Sequence, residues 1–144
     1  MATINPYLNF SGNTETAFQL YKSVFKTEFT SLVRFKEGGD PAKLSEAEGE
    51  KIMHVSLPIG KGNLLYGTDV LESSGYPLTP GDNINLSITA DSKDEADHIL
   101  NGLSEGGTVI MPMQDTFWGA YFGMCTDPFG IKWLISYDYP KVEQ

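Results

Sequence analysis

One order of elements runs through this chain twice, and that repeat constrains the fold more than any single motif. Residues 4–10 alternate, with Ile4, Leu8 and Phe10 on one side and Asn5, Tyr7 and Asn9 on the other, the period of a half-buried strand. The turn cluster Ser11-Gly12-Asn13 leads into 14–25, where Ala17, Leu20, Tyr21, Val24 and Phe25 recur at helical spacing and Asn13 or Thr14 can act as N-cap. Residues 27–35 are rich in β-formers, and 51–59 and 63–70 read as apolar strands about the turn Gly60-Lys61-Gly62. Between them, 37–50 is a stretch of Gly, Pro and acidic residues that predicts a mobile loop.

The second copy follows a linker, 71–82, whose Ser, Gly and Pro content cannot hold a regular element. Residues 83–90 set Ile84, Leu86 and Ile88 against Asn83, Asn85, Ser87 and Thr89, repeating the division seen in the first strand. Ser92-Lys93-Asp94-Glu95 is a capping-box sequence. Ala96, Ile99, Leu100 and Leu103 supply the buried stripe of the helix it opens, and Gly106-Gly107 stops it. Segments 109–113, 118–125 and 131–137 complete three further strands. The expected architecture is therefore α+β, two βαβββ modules at 1–70 and 83–144 within one domain, joined by linker 71–82. Each helix would cover one face of its strands, so the open faces with Asn5, Tyr7, Asn9, Asn83, Asn85 and Ser87 would line a shared cleft in an incomplete, barrel-like sheet.

Composition narrows the partners. A net charge of −9 disfavours a nucleic-acid backbone or an anionic membrane surface. No apolar run approaches the about 18 residues of a membrane span, and the first ten residues lack the pattern of a secretory signal, so the expected location is the cytoplasm. The single cysteine, Cys125, excludes an intrachain disulfide framework.

The stretches PYLNFSGNTETAFQLYKSVF and DTFWGAYFGMCTDPFGIKWLISY resemble the PhnB-like branch of the glyoxalase/bleomycin resistance/dioxygenase (vicinal oxygen chelate) superfamily, and the element order matches that branch over nearly the whole chain. The C-terminal block is the specific part. Some members of the branch have carried a demethylubiquinone methyltransferase label, but the chain has no Gly-rich strand-to-helix loop and no recognisable methyl-donor site. In metal-dependent members of the superfamily, the first and last strands of each module supply ligands, usually His and Glu. The corresponding positions here are Asn5 or Pro6, Leu65 or Tyr66, Asn83, and Leu134. None is an imidazole, thiolate or carboxylate, the donors a divalent transition metal needs.

Among single residues, His54 lies on the strand face opposite Met53, Val55 and Leu57; it either lines the cleft or is satisfied by cross-strand hydrogen bonds. His98, beside Asp94 and Asp97, reads as a surface histidine. Asp115-Thr116-Phe117-Trp118-Gly119 offers charge and stacking surface for a cleft, or aromatics that close the core. Cys125 has no basic neighbour in sequence and reads as inert. Asp127-Pro128-Phe129-Gly130 reads as a type I turn between strands.

The expected function is metal-independent binding of a small molecule, with Tyr7, Asn9, His54, Tyr66, Asp115, Phe117 and Trp118 lining the site and no cofactor. The resemblance implies a homodimer. The competing reading is a divalent-metal lyase, isomerase or dioxygenase with non-standard ligands, His54 joined by Asp115 or Asp69. A third is that the dimer or a protein partner is itself the function.

Overall fold

A 12-residue helix, Thr14–Phe25 (α1), buries Ala17, Phe18, Tyr21 and Val24, and these positions decide which face of the neighbouring strands becomes core. A computed structural model of the chain describes residues 2–38 and 44–141. Its contacts divide the chain into two units, Met1–Thr79 and Pro80–Gln144, the boundary falling inside the Pro/Gly-rich linker.

In the first unit, strands Tyr7–Phe10 (β1), Ser31–Arg34 (β2), Ile52–Ile59 (β3) and Asn63–Asp69 (β4) form a sheet in the order β1-β4-β3-β2. β1 runs parallel to β4, with Tyr7 opposite Tyr66, and the other pairs are antiparallel. Helix α1 packs on β3 and β4, where Val55, Leu57, Ile59 and Leu65 are buried. Gly67 makes the close approach possible, because a Cβ there would sit 2.4 Å from the Phe18 ring. The expected strand at 4–10 is shorter than its pattern. Pro6 has no N–H to give the sheet, and its carbonyl accepts from Tyr66 N at 3.0 Å as the last contact before β1. Ile4, expected under the helix, is instead 90% exposed. Within the expected loop 37–50, helical turns Phe35–Gly38 (α2) and Glu46–Gly49 (α3) bracket residues 39–43, which lie outside the described residues.

The second unit repeats the topology. Strands Leu86–Thr89 (β5), Thr108–Asp115 (β6), Ala120–Thr126 (β7) and Lys132–Asp138 (β8) pair in the order β5-β8-β7-β6, with β5 parallel to β8. Helix Lys93–Ser104 (α4) buries Ala96, Ile99, Leu100 and Leu103, the stripe expected from its sequence. Ser92 Oγ accepts from Glu95 N at 3.0 Å, as a capping box requires, but the Glu95 carboxylate turns to Asp91 N rather than to Ser92 N. Ile84 was expected in the first strand of this copy and is 73% exposed, because pairing starts only at Leu86. Gly107 passes so close to the β7–β8 turn that a Cβ would meet Thr126 O at 2.2 Å.

Candidate functional site

Strand alternation puts β1 and β4 residues of even separation on one face. With Leu65, Gly67 and Asp69 turned to the helix, Tyr66 and Thr68 face the other way, and the parallel register sets Tyr7 beside Tyr66 and Asn9 beside Thr68. His54 comes from β3 to the same group. Its ring centroid lies 5.4 Å from Tyr66 and 6.0 Å from Tyr7, and the two tyrosine rings are 5.7 Å apart. All three pairs are tilted, at 36°, 47° and 38° respectively, so the rings form a shallow dish rather than a stack. Tyr7 Oη and His54 Nδ1 are 3.4 Å apart, which ties the imidazole to the phenol. Tyr7 is 49% exposed, so the dish is open on its outer side. Four residues expected from sequence to share a face, Tyr7, Asn9, His54 and Tyr66, do share one.

Two further residues of this face were not among the expected site residues. Thr68, beside Asn9, donates its hydroxyl to Met53 O at 2.8 Å. Ser56, opposite Tyr66 in the β3–β4 register, is buried and accepts from Thr30 Oγ1 at 2.8 Å. Both are polar groups on the open face of the sheet, and their β3–β4 neighbours could have been read off once the turn at Gly60-Lys61-Gly62 was placed.

The remaining expected residues belong to the second unit. Phe117 and Trp118 lie in the β6–β7 hairpin, where Gly119 takes a φ of 89° that favours glycine. Their rings meet edge to face at 5.1 Å, and Trp118 meets Phe122 in the same way at 5.8 Å. Phe117 is 98% exposed, so its ring is not part of the second unit's own core. The Asp115 carboxylate accepts the hydroxyl of Tyr139, and that bond raises the phenol above its ordinary value. Lys93 reaches from α4 over the Tyr121 ring, 4.5 Å from its centroid. Asp115 is thus part of a network that fastens the hairpin base to the second unit.

The metal positions can be judged from their chemistry. Asn5 Oδ1 accepts from Leu64 N at 3.0 Å, Leu65 is fully buried under α1, and Tyr66 belongs to the aromatic dish. Asp69, the alternative partner for His54, points to the opposite face. Its Oδ1 accepts from Gly12 N, Thr14 N and Thr14 Oγ1 at 3.0, 3.0 and 2.7 Å, and its Oδ2 accepts from Ile52 N at 2.8 Å. Among the described residues, no three His, Cys, Asp or Glu side chains come together in a group that could hold a metal ion. This donor set does not fit a divalent transition metal. Cys125 is buried, and burial, with Asp127 nearby, pushes its thiol up to about 11, which makes it a poor nucleophile.

Known proteins share this fold. The profile described as "Glyoxalase/Bleomycin resistance protein/Dioxygenase superfamily" matches residues 3–135. Protein YjdN of Escherichia coli K12 is 28% identical over 137 residues, 92% of this chain and 93% of the relative. The crystal structure of protein PA1353 from Pseudomonas aeruginosa superposes with a TM-score of 0.84 at 35% identity, covering 96% of this chain and 98% of that one. A PhnB protein from Bacillus cereus shares the fold, with a TM-score of 0.75 at 23% identity over 94% of this chain and 99% of its own.

Proposed function

The chain belongs to the glyoxalase/bleomycin resistance protein/dioxygenase superfamily, and on that premise we propose that it binds a small aromatic or amphiphilic molecule, without a metal ion, on the Tyr7–His54–Tyr66 surface. One observation carries the reading: three tilted rings from three strands, 5.4 to 6.0 Å apart, form an open dish. A flat ligand would lie on the rings, while Tyr7 Oη, the His54 imidazole and the Asn9 amide orient its polar groups. Asp69, the nearest strong donor by sequence, is committed on the other face. Phe117 and Trp118, exposed in the second unit, offer a separate aromatic surface there, with Asp115 as the residue that steadies their hairpin.

The same reading places a homodimer in the cytoplasm, with no nucleic-acid partner. It is supported by the charge of −9 and by large apolar side chains exposed on a single chain, Ile84, Val109 and Ile110 among them. Among the described residues no helix is long and apolar enough to cross a membrane.

The test is a thermal-shift screen of aromatic and amphiphilic compounds, followed by calorimetry of the best ligand. Tyr7→Ala and Tyr66→Ala are each expected to weaken binding about tenfold, since stacked aromatic pairs contribute about 0.5–1.5 kcal/mol beyond burial and tenfold is about 1.4 kcal/mol. If no compound raises the melting temperature, or if both variants bind as tightly as the wild type, the proposal fails.

A further inference from the structure

A cavity of about 820 Å³ lies wholly within the first unit and is lined by none of the dish residues. It opens where β1 gives way to α1, where β3 begins and where β4 ends, and the segment 72–78 and the short helix α3 form its remaining walls. Its volume falls within the range of about 300–1,000 Å³ typical of small-molecule sites. Val70, Leu71, Leu78 and the ring of Tyr76 give it an apolar lining.

Its charges are arranged unusually. Lys51 is half-buried on one wall, and its Nζ donates to Gly12 O at 3.1 Å. Glu48 is half-buried on another, and its Oε2 accepts from Ser73 N at 3.3 Å, with Glu72 adjacent to Ser73 in the lining. Each charged group is held by main chain of a neighbouring wall segment, and Lys51 and Glu48 form no ion pair with each other. A lysine ammonium has three protons and a carboxylate has two oxygens, so each keeps hydrogen-bonding capacity that its main-chain partner leaves unused. In a chain of net charge −9, a half-buried ammonium without a carboxylate partner among the described residues is a feature that a ligand's anionic group would complete.

We propose that this cavity binds a zwitterion with an apolar body, in class an apolar amino acid or short peptide. Its carboxylate meets Lys51, its ammonium meets Glu48 and Glu72, and its side chains lie against Val70, Leu71, Leu78 and Tyr76. The site is separate from the aromatic dish, and the two can be occupied independently.

Calorimetry with the free dipeptide leucylphenylalanine, its C-terminal amide and its N-acetyl derivative tests this on the full chain. Saturable binding of the free dipeptide is expected, with at least a tenfold loss when either end is capped. Lys51→Met and Glu48→Gln are each expected to weaken the free dipeptide at least tenfold, Lys51→Arg to restore most of the affinity, and Lys61→Met, at the other end of β3, to change nothing. Circular dichroism and melting of each variant separate a lost contact from a lost fold. Capped dipeptides binding as well as the free one, no saturable binding up to 10 mM, or loss of binding in Lys61→Met with its fold intact would each overturn the proposal.

Discussion

The Asp69 carboxylate accepts four hydrogen bonds from Gly12, Thr14 and Ile52, and so joins the β1–α1 turn, the start of α1 and the start of β3 to the end of β4. It takes the place of the local N-cap anticipated at Asn13 or Thr14. Asn13 makes no side-chain capping bond, and Thr14 N is satisfied by Asp69. Asp127 plays a comparable part in the second unit, accepting from Phe129 N, Ile131 N and the Trp133 indole at 2.9, 3.0 and 2.9 Å. The turn itself was legible from Asp127-Pro128-Phe129-Gly130, since turn chemistry is local. The indole bond and the Asp69 cap were not, because their donors arrive through strand pairing that no local pattern encodes. Asp69→Asn turns one acceptor into a donor facing N–H groups, so a loss of about 1–3 kcal/mol is expected in urea unfolding. Retention of wild-type stability would mean that the cap is not supplied by Asp69.

Helix α1 and its sheet meet through Phe18 and Gly67. Gly67→Ala places a methyl group 2.4 Å from the Phe18 ring, a contact that requires a shift of ring or backbone. The expected cost is about 1–3 kcal/mol by overpacking, and Gly67→Ala with Phe18→Leu should recover part of it, measured by thermal melting. Strand β2 is held to α1 by a two-pronged pair, Arg34 to Glu15 at 2.7 and 3.1 Å. The Arg34 hydrogen bonds hold the Glu15 carboxyl below its usual value of 4.5, partial burial opposes them, and the guanidinium charge adds to the lowering. The folded value lies below the unfolded one, so this contribution is present above about pH 4.5 and is lost as pH falls through the folded value. Arg34→Met is therefore expected to destabilise the protein at pH 7 and to make its stability fall less steeply as pH drops below about 4.5. Parallel stability curves for the two proteins would rule this out. At this scale both long helices were readable from periodicity, and the eight strands among the described residues from alternation, β-former content or apolar runs flanked by turns. The ends were less so: β2 spans only Ser31–Arg34, with a bulge at Val33/Arg34, and Phe35 already opens the helical turn α2.

Across the whole chain, the repeat seen in the sequence reappears as one strand order used twice, and the family follows from the profile match over residues 3–135. The face holding Tyr7, Asn9, His54 and Tyr66 was legible because alternation fixes which side a strand residue takes. The cavity at Lys51 and Glu48 was not, since it is built from segment ends that have no period. Two measurements apply to the molecule as a whole. Elemental analysis of protein purified without chelator is expected to find less than about one transition metal per two chains, as the donor chemistry implies. Sedimentation is expected to find a dimer. A stoichiometric metal would reopen the lyase or dioxygenase reading, and a monomer at micromolar concentration would remove the homodimer.

In each unit the first strand is paired, in parallel, with the last: Tyr7 with Tyr66, and Leu86 with Trp133. On a ribosome, β1 therefore has no partner until β4 has been made, and the loop closed by that contact includes every other element of its unit. Once Asp69 has emerged, however, the first sheet has all its strands while the second is still being synthesised. The chain can thus complete its first half as a separate event during translation, and the interval of greatest exposure to aggregation for that half is the one in which β2 and β3 exist without β4.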